Sequence, residues 1–302
     1  MNRLQRPQTG IFAEPSLHGL FLFFHIDTDE VSRARQALAA LPDCYHHWQD
    51  YFSEAQLSVA IGIGDAYWDV VSPSNRPDGL RGVPDFSRSD HPFPTTPFDV
   101  VIVICSDRMD ANHATAQALM AELAGVAVLA EERHTYRHLD GRDRFGFKVN
   151  PQQIHAAQRR ERALVRTEDD PEFADGSFLW IQQSLTEIDR FKRLTTAEQE
   201  RIVGYDRLHG RKLQTAKNSA ASREHGDVWC QRMPTATVRK PAEMLFAFSR
   251  KMGSLQDWMA SRFLPDADGA TDPLLDYLQV EHNSLYFVPS EHGLFRLAEI
   301  ED

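Results

Sequence analysis

The distribution of apolar and polar residues divides the chain into recognisable strands and helices. Leu20-Phe21-Leu22-Phe23-Phe24 is an unbroken apolar run of strand length, and Asp29 is placed to cap a helix extending through Ala39. Leu57 to Ile63 alternates as a second strand. Phe98 to Cys105 reads as a third, buried on both faces. Ala111 to Leu123 has helical periodicity, Gly125 stops it, and Val126 to Tyr136 returns as a strand. The order β-α-β-β-α-β is the ferredoxin-like pattern, an antiparallel sheet with helices on one side.

The second half repeats the rhythm. Phe178 to Gln182, Met244 to Phe248 and Leu285 to Val288 read as strands, and Leu255 to Phe263 as a helix. Thr195 and Glu198 form a capping box for a short helix. The expected fold is α+β, with ferredoxin-like domains at 1–145 and 146–302 whose antiparallel sheets form a barrel. Trp180, Trp229, Phe246, Phe248 and Phe287 are expected to fill its core. The charged segment 142–172 reads as a connector, and Ser72 to Pro97 as a loop long enough for a lid or a partner-binding arm.

Composition narrows the function classes. A net charge of −11 over 302 residues disfavours a nucleic-acid or anionic-membrane partner. The basic run from Arg159 to Arg166 reads as a solvated face. The three cysteines are widely spaced without metal spacing, and Cys105 reads as a small buried hydrophobe. No apolar run reaches membrane-spanning length, and residues 1–10 lack a signal-peptide core, so a cytoplasmic location is expected.

Several segments together resemble the dye-decolourising (DyP-type) haem peroxidase superfamily, in its bacterial cytoplasmic branch. They are Gln8-Thr9-Gly10-Ile11, Thr95 to Val100, Glu131-Glu132, Arg142-Asp143 leading into Gly146-Phe147, Gly176-Ser177-Phe178, Glu198 to Gly204, and Leu285 to Ser290. The resemblance implies a haem in the C-terminal half, an aspartate in a Gly-Phe-x-Asp-Gly motif, a proximal histidine, and a distal arginine before a Met-Pro pair. Here Val149, Ala220 and Cys230 stand at those three positions. Arg232 takes the distal role if the strand slips by two residues, which keeps the same face. Haem iron needs an axial donor, and peroxide cleavage needs a group that moves a proton.

These replacements set the functional expectations. The first is a DyP-type peroxidase-like protein that has lost the usual haem site. It would bind no cofactor and use its barrel pocket for another small-molecule ligand, altered chemistry or a partner. The alternatives are a haem-binding peroxidase or haem carrier with His225 as relocated ligand and Arg232 as distal cation, or a structural partner of an active paralogue. Asn218 and Ser219, in the segment before the replaced ligand, are candidate cofactor-binding residues with His225. His225 also reads as a turn residue in His-Gly-Asp. Glu132, His134 and His138 are a candidate metal trio on one strand face. Cys230 is a candidate thiolate beside Arg232. If the protein is an enzyme, an oxidoreductase is implied, and a homo-oligomer is expected from open sheet edges.

Overall fold

The computed structural model describes residues 6–149, 151–214, 218–223 and 226–300. Among these, eight strands form one antiparallel sheet: β1 (His18–Ile26), β2 (Ser58–Gly64), β3 (Val100–Ser106), β4 (Ala127–Tyr136), β5 (Ser177–Thr186), β6 (Val228–Pro234), β7 (Ala242–Ser249) and β8 (Leu278–Val288). Their order is β4-β1-β3-β2-β8-β5-β7-β6, so each half contributes four contiguous strands. The halves join where Ile63 pairs with Phe287 and Gly64 with Tyr286. The sheet curls until its two ends meet at the bridge Thr135–Thr235, giving an α+β barrel with a short seam.

Alternation along the strands separates two cores. Phe21 and Phe23 point inward with Val101, Val103, Trp229 and Phe246. Leu20, Leu22 and Phe24 point outward under the helices. A strand buried on both faces needs no polar side, which explains the unbroken apolar run in β1. The aromatic expectation holds only in part. Trp229, Phe246 and Phe248 fill the barrel interior, whereas Trp180 and Phe287 belong to the outer core.

The helices are α1 (Val31–Tyr51), α2 (Asp65–Val71), α3 (Met109–Glu122), α4 (Ala156–Ala163), α5 (Ile188–Phe191), α6 (Thr196–Val203), α7 (Met252–Phe263) and α8 (Glu291–Leu297). Helix α1 runs well past Ala39 and carries Pro42 inside it. Proline forfeits one backbone hydrogen bond, but Leu38, Leu41 and Tyr45 are fully buried around it, and that packing outweighs the loss. Asp27 rather than Asp29 caps the turn before α1. The connector contains α4, whose Arg159 is 2% exposed, contradicting a uniformly solvated basic face. Its guanidinium pairs with Glu14 and donates to the carbonyls of Phe12 and Ile154. The long loop is a packed strap: Leu80 and Phe86 are buried, and Phe93 stands 4.6 Å from the Phe263 ring of α7. Among the described residues no helix is long and apolar enough to cross a membrane.

Candidate functional site

Strand β6 is an end strand of the sheet, and its exposure alternates. Trp229 and Met233 face the barrel core, while Cys230 and Arg232 share the other face and are only partly buried. At the seam, β6 borders a cavity of about 360 Å³ whose lining includes Val149, Cys230, Arg232, Lys148 and His138. That volume is at the small end of ligand pockets. Val149 and the two distal candidates, Cys230 and Arg232, therefore converge. No hydrogen bond or ion pair joins the Arg232 guanidinium to any described residue, although it borders the cavity.

Val149 is held by a small hairpin. Its N–H donates to the Gly141 carbonyl at 2.9 Å, and the Asp143 N–H donates to the Phe147 carbonyl at 2.7 Å. The Asp143 carboxylate also accepts the Phe147 N–H at 2.9 Å. Gly146 makes the turn at φ +91°, and a Cβ there would stand 2.7 Å from Arg207. Arg142 clasps the hairpin by donating to the carbonyls of Gly146 and Arg207. Phe145 and Phe147 anchor the loop in a separate apolar cluster with Phe191, Val203 and Tyr205.

Behind the cavity lies a wall of buried charge. Asp143 is 4% exposed and Glu243, on β7, is 8% exposed. Burial pushes the Glu243 carboxyl up to about 7, and nearby Asp143 pushes the same way, against Arg232 and Arg144. Burial likewise raises Asp143, opposed by backbone N–H groups and Arg232. His138 is lowered from the usual histidine value by burial and by Arg144. Arg262 of α7 donates to Asp272 at 2.8 Å, with side chains 3% and 1% exposed. One N–H each of Arg144, Arg223 and Arg262 is buried without a partner, as is one oxygen of Glu243. Unpaired buried cationic donors are costly unless a ligand satisfies them.

The remaining candidates are placed elsewhere. Ala220 begins a 3-10 turn, Ala220–Arg223, and packs against the Phe145–Phe147 cluster rather than lining the Val149 cavity. Asn218 accepts from Arg223, and the Ser219 hydroxyl accepts the Ser222 N–H, so both serve the turn. His225 lies outside the described residues. The metal trio is not assembled. His134 reaches Glu132 at 3.3 Å and its ring stacks on His113, but β4 ends at Tyr136. Leu139 and Asp140, at φ +34° and +58°, then turn the chain, and His138 joins Val149 in the cavity. Among the described residues no group of three or more His, Cys, Asp or Glu side chains could hold a metal ion. Sequence reasoning missed Glu243, whose signal was a lone acid heading an otherwise apolar strand.

Comparison with known proteins bears on both architecture and cofactor. The family models described as "Dyp-type peroxidase, N-terminal" and "Dyp-type peroxidase, C-terminal" match residues 8–137 and 140–293. The dye-decolorizing peroxidase of Rhodococcus erythropolis is 25% identical over 285 residues, covering 90% of this chain and 83% of that protein. That of Mycolicibacterium paratuberculosis is 23% identical, covering 90% and 80%. Among solved structures, a dye-decolorizing peroxidase from Bacteroides thetaiotaomicron superposes with a TM-score of 0.89 at 20% identity, covering 98% and 99%. A variant of DypB from Rhodococcus jostii RHA1 in complex with heme superposes with a TM-score of 0.87 at 25% identity, covering 96% and 97%. The expectation of no cofactor is thereby corrected, because this structural relative, matched over nearly its whole length, carries heme. That expectation rested on reading Ala220 at the axial-ligand position and Val149 at the aspartate position. With the two family models together matching residues 8–137 and 140–293, the chain belongs to the Dyp-type peroxidase family.

Proposed function

We propose that this protein is a haem-binding oxidoreductase of the family, with peroxidase chemistry weakened by Val149. The observation that carries the reading is the convergence of Val149, Cys230 and Arg232 on one cavity. The donor set suits the cofactor. Haem is anionic at its carboxylate edge, and Arg144 in the hairpin with Arg223 and Arg262 in the C-terminal half each keep one buried nitrogen without a partner among the described residues. Ala220 offers no axial donor, so His225, five residues on, is the ligand in this reading. When bound, haem supplies an iron at which peroxide is reduced.

The protein's own residues then divide the remaining work. Val149 can neither accept a proton nor hydrogen-bond peroxide. His138 lines the same cavity, and burial and Arg144 lower its value, favouring the neutral imidazole that can accept the peroxide proton. Arg232 holds the resulting anion by charge-assisted hydrogen bonding. Self-association belongs to the same proposal. The seam covers one end of β4 through Thr135, while residues 127–132 keep one edge open for another chain.

The test is the absorbance spectrum of protein purified from haem-supplemented cells. A Soret band at near-stoichiometric haem is expected, lost in His225→Ala. Protein that stays colourless after haem supplementation and reconstitution would defeat the proposal.

A further inference from the structure

Arg232 and Glu243 are diagonal neighbours on one face of the sheet. Arg232 pairs with Leu245 across the β6–β7 ladder and Pro234 with Glu243, so both side chains project on the same side. Asp143 approaches from the hairpin that carries Val149, and Arg144 donates its backbone N–H to Glu243. No ion pair within 4 Å closes between Arg232 and either acid. One Glu243 oxygen has neither partner nor solvent. The cavity thus presents a guanidinium with free donors, backed by two buried carboxyls. Two buried carboxyls this close do not both ionise readily, even with Arg232 and Arg144 beside them.

We propose that this cluster is a proton-linked anion site: a small carboxylate or comparable inorganic anion binds Arg232 in the cavity, and Glu243 takes up a proton as it does. The proposal rests on the reading of Arg232 as the cavity's cation and adds Glu243 as its positioning residue. With Glu243 neutral, Arg232 keeps its charge for the ligand. Once Glu243 ionises, Arg232 is already offset and a bound anion meets a second negative charge. The charged and titratable groups facing the pair are Asp143 and Arg144 from the hairpin, Asp272 ahead of β8, and Cys230 on β6. His138 also lines the cavity and is lowered from the usual histidine value by burial and by Arg144. The Glu243 carboxyl, held at about 7 by burial, sets that window. The proton comes from solvent and forms an O–H bond on Glu243; no other bond changes.

The experiment is calorimetric titration of the purified protein with formate, in two buffers of different ionisation heat. Formate should bind about tenfold more weakly at pH 8 than at pH 6, with net proton uptake near pH 7. Glu243→Gln keeps the shape and a neutral head, so it should bind with nearly constant affinity and without proton uptake. Arg232→Leu should abolish binding. Infrared difference spectra should show a protonated-carboxyl band that titrates near pH 7 and disappears in Glu243→Gln. Equal pH dependence in wild type and Glu243→Gln, or no formate binding to either, would overturn the inference. Its failure is separable from failure of the haem reading. Protein with a full Soret band but no titrating carboxyl sinks this proposal alone, and colourless protein with the proton linkage intact sinks only the other.

Discussion

The Tyr45 hydroxyl donates to the Glu291 carboxylate at 2.6 Å, tying the middle of α1 to the first turn of α8. His46 reaches the same oxygen at 3.0 Å and Gln49 through its other nitrogen. The clasp joins a helix of the N-terminal half to the C-terminal end of the chain. The hydrogen bond to Glu291 is the main reason the His46 value is raised, with burial opposing it. A folded value above the unfolded one, about 6.5, gives stability that is complete below that pH. It is lost as pH rises through the folded value. Thermal melting across pH 5 to 9 should therefore show a decline above about pH 6.5 that His46→Gln removes. An identical decline in that variant would rule out the clasp as its source.

The buried pair Arg262–Asp272 offers a stability test in the C-terminal half. Asp272 also accepts the Leu274 N–H at 2.9 Å, and asparagine keeps that cap. Asp272→Asn removes the charge facing Arg262 and should cost about 3 kcal/mol, read as a lower urea midpoint with unchanged slope. Adding Arg262→Met should restore most of the loss, because the unpaired buried charge goes with it. If the double variant is as unstable as the single one, packing rather than charge explains the effect.

The strap between β2 and β3 makes a third case. Phe93 contacts Phe86 at 4.4 Å and Phe263 at 4.6 Å between ring centroids, and Asn283 donates to the Pro94 carbonyl. These contacts hold an N-terminal segment over α7. Phe93→Ala should release it, at a cost of about 1–3 kcal/mol, and speed limited proteolysis within residues 76–97. Proteolysis at the wild-type rate would show that the hydrogen bond and Phe86 suffice.

The strand pattern was readable because each strand is apolar on one face or both, a local property of consecutive residues. Helix α1 was underestimated because Pro42 is a local stop signal, whereas what carries the helix onward is burial of Leu41 and Tyr45 against distant elements. Trp180 and Trp229 look alike in sequence and lie on opposite faces, since the inward side depends on how the sheet closes. The same limit applies to the site. Val149, Ala220, Cys230 and Arg232 came from short motifs; all but Ala220 line one cavity, while Ala220 packs against the Phe145–Phe147 cluster. Glu243 and Asp143 reach Arg232 only through the β6–β7 register and the fold of the 141–149 hairpin, which no local spacing encodes. His138 was assigned to a strand face that ends two residues earlier.

The most direct chemical test of the proposed function is to put a carboxylate at Val149. Val149→Asp places a proton acceptor on the hairpin in the cavity that Arg232 and His138 also line. Val149 is only partly buried and its N–H is already held by Gly141, so the substitution leaves the hairpin's backbone bonds intact. A positioned general base contributes a factor of about 10² or more, so kcat/KM for hydrogen peroxide should rise about a hundredfold at equal haem content. Val149→Asn has nearly the same shape and no comparable proton affinity, and should stay near wild type. His138→Gln should lower the residual wild-type rate and flatten its acid limb near the lowered histidine value, yet change little in the Val149→Asp background. If Val149→Asn gained as much as Val149→Asp, polarity rather than proton transfer would be the missing element. If Val149→Asp gained nothing while haem remained bound, the cavity would not be where peroxide reacts.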